Sequence, residues 1–447
     1  MHTYKRLIGS LVVLMALSLS ASGQGSSDIM KVQQQTMAGG LGVTVIDGEM
    51  YYLFNLSPEF SFGKLGLGLD LNLRFNKEGK IRPGEYEKFG DYLRIIRYVR
   101  WGKKGDGLYI KAGVLDYSRL GHGFIMYNYR NSASYDLRKT GIEFDMDFEK
   151  FGFETVYSDL AKAGLVGFRG YVRPLMFTSM ASVPIIGGIE VGATFATDLN
   201  DNSKKTFANS TLLPPQPLAT AGGSGKLSIV GVDVGLPIVS LSSFNSTLYA
   251  DYAQITGFGN GAVVGINFNF SGMGLLTIGA KYERRFLGDE FLPSYFDALY
   301  ERDRFVLSDS GKTFASKAAL LASAKKTEGY YGELLISILN TFNIVGGYQA
   351  PVGVPNQGVF HAELQTPAVV PQIVFGAGFD KRNIGPVFKL DENSILYAEL
   401  GYKPMPYMVV SMLYQWTFAE KKDLAGNVVG YETQKRVEPK VRFVFNF

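Results

Sequence analysis

The chain has 447 residues, of which 46% are hydrophobic and 13% aromatic, with 53 Gly, no Cys and a formal net charge of +4. That balance, with no basic block, excludes a nucleic-acid binder, and the lack of Cys excludes a disulfide scaffold or lipid attachment through an N-terminal Cys. No run approaches the roughly 18 consecutive apolar residues of a membrane-spanning helix, so the hydrophobic residues belong to strands or to a buried core.

Lys5 and Arg6 precede the apolar run "LIGSLVVLMALSLSA" and the small residues "ASG". This is the charged, apolar, small-residue order of a secretory signal peptide, 1–23, with cleavage expected after Gly23; a short membrane anchor is the rival reading. Losing Lys5 and Arg6 brings the net charge to about +2. The next segment, 24–50, is expected to be a periplasmic tail or a piece tucked into a lumen rather than a wall strand. The first confident strand begins near Tyr51, and 51–447 is expected to form one β-barrel.

In "KLGLGLDLNLRFN" (64–76), Leu65, Leu67, Leu69, Leu71, Leu73 and Phe75 share one parity, and Gly66, Gly68, Asp70, Asn72 and Arg74 the other. Strand side chains alternate between faces, so one face is hydrocarbon and the other small or polar. The pattern recurs. Ile142, Phe144, Met146 and Phe148 oppose Glu143, Asp145, Asp147 and Glu149; Val264, Ile266, Phe268 and Phe270 oppose Gly265, Asn267 and Asn269. Leu276, Ile278, Ala280 and Tyr282 alternate with Thr277, Lys281 and Glu283, and Met408, Val410, Met412, Tyr414, Trp416 and Phe418 with Ser411 and Gln415. Such segments have the length of a tilted strand crossing a bilayer.

Connections alternate too. Short turns ("EKFG", "SGMG", "YKPMPY") take turns with polar loops at 198–225, 287–328, 349–358, 380–393 and 419–433. Loop 198–225, with "LLPPQP" and "TAGGSG", reads as flexible and exterior. In 287–328, "YFDALYER" and "SKAALLASAKK" each suggest a short helix. The fold class is all-β, a transmembrane antiparallel barrel of about 18–20 strands, with 117–127 and 358–365 the weakest strand assignments. The mature chain of about 424 residues then gives roughly 21 to 24 residues per strand and connection.

The chain ends "EPKVRFVFNF", with Val441, Phe443, Phe445 and Phe447 on one parity. This resembles the last strand of bacterial outer-membrane proteins. The resemblance, to an architecture and not to one porin or transporter family, implies that these residues form a signal read by the barrel-assembly machinery. It further implies outer-membrane lipid as the surrounding phase and localisation in the outer membrane. A homo-oligomer stays open.

If the apolar faces meet lipid, the polar faces line a lumen. Glu143, Asp145, Asp147 and Glu149 form an acidic strip that needs water, cations or basic partners. Basic residues of inward parity are Arg74, Lys111, Arg169, Arg173, Lys281, Arg285 and Arg442; Arg94, Arg97 and Arg100 are spaced by three, which requires a bulge. An acidic strip facing a basic one across water would orient polar solutes; ordinary ion pairing along the wall is the plainer alternative. Loop 287–328 is too long for an idle connection. Folded inward it would set Asp297, Glu301, Arg302, Asp303 and Arg304 at a constriction; folded outward it is a cap.

No enzyme is expected. Beyond His2, histidine occurs only at His122 and His361, and no serine sits in a nucleophile elbow. "GHGFIMYNYRN" (121–131) reads as a strand end with interface aromatics and a polar loop. Two scattered histidines and no Cys make a zinc site unexpected, "DLNDNS" (198–203) lacks EF-hand spacing, and "GLGLD" opens no helix that could hold a phosphate. No metal or cofactor is expected. The reading is a channel for passive or selective passage of small solutes through a charged lumen. The alternatives are a channel for hydrophobic compounds using Phe291, Leu292, Tyr295 and Phe296, and a structural or assembly component with a closed barrel.

Overall fold

The computed structural model describes residues 36–446 apart from short internal stretches, among them Arg94, 133–138, 209–216, 221–224, 308–312, 366–371, 385–389 and 423–427. Among the described residues a single sheet of 21 segments closes on itself. Leu65–Leu69 and Leu71–Phe75 hold one continuous register on Glu49–Phe62 and act as one stave, so the wall has twenty. Every wall pairing is antiparallel, as short hairpin connections require. No helix among these residues is long and apolar enough to cross a membrane.

The seam corrects one sequence expectation. Thr36–Ile46 is a wall stave, paired with Glu49–Phe62 on one side and with Val428–Asn446 on the other. Gly39, Gly40 and Gly42 blur its alternation, and its two partners lie next door and at the far end of the chain. Of the weak assignments, Val359–Gln365 is a stave, whereas 117–127 leaves the wall.

Register fixes which side chains look outward. Leu67 and Val99 lie opposite on the outer face, as do Val264 and Arg284, Tyr282 and Ile266, and Val410 and Val441. Val232 (56% exposed), Val264 (48%) and Met412 (48%) belong to an apolar outer belt. Glu143, Glu283 and Arg169, of opposite parity, are buried. Arg97 is the extra residue of a bulge: Tyr98 opposes Gly68, and Ile96 opposes Leu69. The wall is thus an outer-membrane-type β-barrel, greasy outside and polar within.

Thr36 and Asn446, the first and last described residues, share one rim, where connections such as 63–64, 148–150 and 241–243 are short. The exception there is 173–189, three 3-10 turns exposing Phe177, Met180, Ile185 and Ile186. The opposite rim carries the long connections, 76–95, 114–140, 199–226 and 288–326. Lys205–Ala208 and Pro217–Thr220 from one of these join Phe305–Leu307 and Thr313–Ser316 from another in a separate four-stranded sheet. Loop 198–225 is therefore partly ordered by pairing with its neighbour. The short helices of 287–328 fall at Tyr300–Asp303 and Lys317–Leu321.

Candidate functional site

The interior is organised by two connections that turn into the barrel. Segment 114–131 leaves the wall after Leu108–Gly113 and meets segment 291–300 as a short parallel pair. Tyr127 N donates to Phe296 O (3.1 Å), Phe296 N to Ile125 O (3.2 Å), Ser294 N to Phe124 O (2.7 Å) and Ser294 Oγ to Gly123 O (2.9 Å). Phe124, Met126, Tyr129, Phe291, Tyr295 and Phe296 are buried there against inward-facing Val156, Ile229, Ala253 and Val263 of the wall. A barrel interior of this size has enough apolar surface on one arc to dock two loops, and Gly167, Gly231 and Gly261 leave room for them: a Cβ at each would stand 2.5–2.8 Å from Leu120, Ile125 or Phe291.

This placement corrects the reading of 121–131 as a strand end with interface aromatics. Its Tyr residues point at lumenal acids, not at lipid headgroups. Tyr127 Oη donates to Glu333 (2.7 Å), Tyr129 Oη to Glu301, and Tyr117 Oη to Glu363. The backbone joins in: Gly121 N donates to Glu154 (2.6 Å), and Lys281 Nζ donates to His122 O (2.6 Å). Arg130 pairs with Asp380 (3.3 Å) on the far arc. Phe291, Leu292, Tyr295 and Phe296 lie in or against the same packed cluster, which takes from them the exposed role expected for a hydrophobic-compound channel.

The acidic strip is inward but not free. Lys104 reaches from a turn to Asp145 (2.7 Å), Tyr109 Oη donates to Glu143 (2.8 Å), and Arg173 holds Asp147 through two bonds of 2.8 and 2.9 Å. Glu149 is off the strand, exposed, in the following turn at φ +66°. Lys111 sits directly opposite Glu143, and Arg169 opposite Glu154, on neighbouring staves. Arg169 binds Asp233 through Nε (2.9 Å) and Nη2 (2.5 Å) and also meets Glu190 (2.7 Å) and Glu154 (3.7 Å). Lys281 and Arg285 share Glu283 (2.9 and 2.5 Å), and Tyr249 Oη donates to the same carboxylate (2.7 Å). Acid and base are thus neighbours on the wall. Buried charges at these spacings survive only because each has a partner.

Loop 288–326 folds inward at the mouth, yet the five charges expected at a constriction are consumed by contacts. Glu301 receives Tyr129 and pairs with Lys139 (2.5 Å) and Arg304 (3.5 Å); Arg304 pairs with Asp198 (3.1 Å), Arg302 with Asp303, and Asp297 with Lys317 (3.5 Å). Burial alone would raise the Glu301 carboxyl, but Arg304 and Lys139 hold it below its ordinary value. The His122 imidazole is lowered too: burial, then Arg169 and Lys281, push it well below the usual range, which favours its neutral form. Its ring stacks on Tyr249, centroids 4.2 Å apart and 10° from parallel. His361, by contrast, is taken by Asp380 at 2.6 Å.

The remaining arc, staves 408–422 through 108–113 across the seam, is polar. Asn55, Ser57, Asp70 and Asn72 form one hydrogen-bonded patch. Arg74 pairs with Glu85 (2.7 Å), and Arg436 and Thr44 approach Glu438 (3.6 and 3.0 Å). Below them Arg97 and Arg100, both half-buried, lie flat over the small residues of "LGLGL": a Cβ at Gly66 would stand 3.0 Å from the Arg100 guanidinium, and one at Gly68 3.0 Å from Arg97 Nε. Gly66 therefore makes room for Arg100, and Gly68 for the Tyr98 ring, 2.7 Å from such a Cβ, as well as for Arg97. Arg94 and Phe447, and the side chains of Arg442, Phe443 and Phe445, lie outside the described residues. Val441 faces outward opposite Val410 and Leu41.

No family model matches the chain, and no curated protein matches it. Among solved structures it is similar to Pseudomonas aeruginosa OccK11 (OpdR), at 10% identity over 92% of this chain and 95% of that one, with a TM-score of 0.30. Pseudomonas aeruginosa OpdL gives 8% identity, 92% and 98% coverage and a TM-score of 0.33. The siderophore receptor PirA from Acinetobacter baumannii gives 9%, 93%, 81% and 0.34. At scores this low, function rests on the barrel's own geometry.

Proposed function

We propose that this barrel is a narrow, substrate-selective outer-membrane channel for small polar solutes, favouring those with an acidic group. The supporting observation is the division of the lumen. One arc is filled by segments 114–131 and 291–300 docked on the wall, and the opposite arc carries polar side chains of which Ser57, Asp70, Asn72, Arg97 and Arg100 are half-buried. A path confined to that arc passes a positive wall at close range, where charge is weakly screened. In this reading the first 23 residues direct export, and Val441, Phe443, Phe445 and Phe447 mark the terminal strand for assembly.

The experiment is single-channel recording of the refolded chain in a planar bilayer under a KCl gradient. A small conductance with anion preference is expected, and R97Q/R100Q should reduce that preference. Large, unselective steps would refute narrow selectivity; a folded but silent barrel would favour the structural role.

A further inference from the structure

We propose that His122, Asp233 and Asp251 form a site for a divalent transition-metal ion of the Zn²⁺ type, one that staples the infolded segment to the barrel wall. Asp233 and Asp251 are direct register partners on the adjacent staves Leu227–Ser240 and Phe244–Ile255, both inward and both buried. Like charges directly opposite each other are destabilising in a sheet. Above them His122 offers Nε2, 3.9 Å from Asp233 Oδ1, and the three donor atoms lie within 4.8 Å of one another.

Two further observations point to a ligand. His122 Nε2 and Asp251 Oδ1 are buried without a hydrogen-bond partner, and Asp251 is 8% exposed. A buried orphan polar atom costs about 1–3 kcal/mol, and one cation between these two would satisfy both. The surroundings are also built to aim the donors. Tyr249 stacks on the imidazole and Gly235 leaves space beside it, where a Cβ would stand 3.2 Å from Nε2. Arg169 orients the Asp233 carboxylate by bonding both of its oxygens, the part outer-shell groups play at metal centres.

The neighbouring positive charge does not forbid the ion. Arg169 is already met by Glu154 and Glu190 as well as Asp233, and Lys281 by Glu283. Zinc accepts one imidazole nitrogen and two carboxylate oxygens at about 2.0–2.2 Å, which sets donors about 3.4 Å apart. The observed 3.9 Å between His122 and Asp233 therefore closes with a shift of about half an ångström, and the other pairs, all within 4.8 Å, with at most about 1.4 Å; water can complete the shell. Because His122 alone comes from the infolded segment, the ion would hold that segment in place.

The test uses the full refolded chain in detergent, stripped with a chelator. It is titrated with Zn²⁺ by calorimetry and with Co²⁺ by visible absorption. One equivalent should bind, and H122Q and D251N should each weaken it at least about tenfold, while H361Q leaves it intact. D251N relieves a like-charge pair and should fold, which circular dichroism and heat-modifiable gel migration verify. No binding to the parent chain would overturn the proposal. So would binding unchanged in both variants, an adventitious ion only.

Discussion

Phe296→Ala tests whether the infolded segments define the channel. Phe296 is fully buried, stands edge-on to Tyr300 with ring centroids 4.8 Å apart, and its backbone bonds to Ile125 and Tyr127 use only main-chain atoms. Truncation therefore removes packing and leaves the hydrogen bonds. A buried Phe→Ala change costs about 3–5 kcal/mol, transfer and cavity together. At about 1.4 kcal/mol per factor of ten, the ratio of docked to undocked segment falls by roughly a hundredfold to several thousandfold. The wall is untouched, so the loss appears as local opening. Single-channel records should show added larger levels or flicker, and limited proteolysis should cut within 114–131 and 288–326 faster than in the parent. Unchanged conductance together with unchanged cleavage would refute the idea that this contact holds the segments in the lumen.

Two other perturbations follow from the charges. Arg169→Gln leaves Glu154, Glu190 and Asp233 facing one another in the interior, and removing one partner of a buried pair costs about 3–5 kcal/mol; the urea midpoint in detergent should fall, and an unchanged midpoint would show that water already solvates these acids. Glu301, held below its ordinary 4.5 in the folded chain, contributes stability that is present above pH 4.5 and is lost as pH falls through its lower folded value. Acidification below about pH 4.5 should therefore loosen the mouth loop, seen as faster proteolysis by an acid protease, and Glu301→Gln should remove that step; a pH profile shared by both would assign the step elsewhere.

What the sequence disclosed follows from which forces are local. Parity along a strand is a local property, so Leu65 and Met412 could be assigned to the outside and Arg74 and Glu143 to the inside before any partner was known. The seam stave was obscured because Gly39, Gly40 and Gly42 have no side chains to alternate. Pairing across the lumen is not local. Nothing near His122 announces Asp233 or Asp251, and nothing near Tyr129 announces Glu301, since these contacts depend on where a connection folds once the wall exists. The aromatic richness of 121–131 was visible, but girdle and lumen can hold the same residues. The "LGLGL" run was read by its leucines; its glycines acquire meaning only beside Arg97 and Arg100.

The seam also dictates an order of events. Each hairpin of the wall joins staves that follow one another in sequence, the widest step running from Leu287 to Thr327, whereas the final closure joins Thr36 to Asn446. Loop-closure entropy and search time both grow with that separation, so the ring can be completed only after the last 19-residue strand has been delivered. Until then Thr36–Ile46 presents a bare row of donors and acceptors, a template for any passing strand. A chain released early would thus carry its hazard at its beginning. The long Met408–Lys422 and Val428–Asn446 hairpin, formed late and as one piece, is the part of the molecule whose arrival ends that exposure.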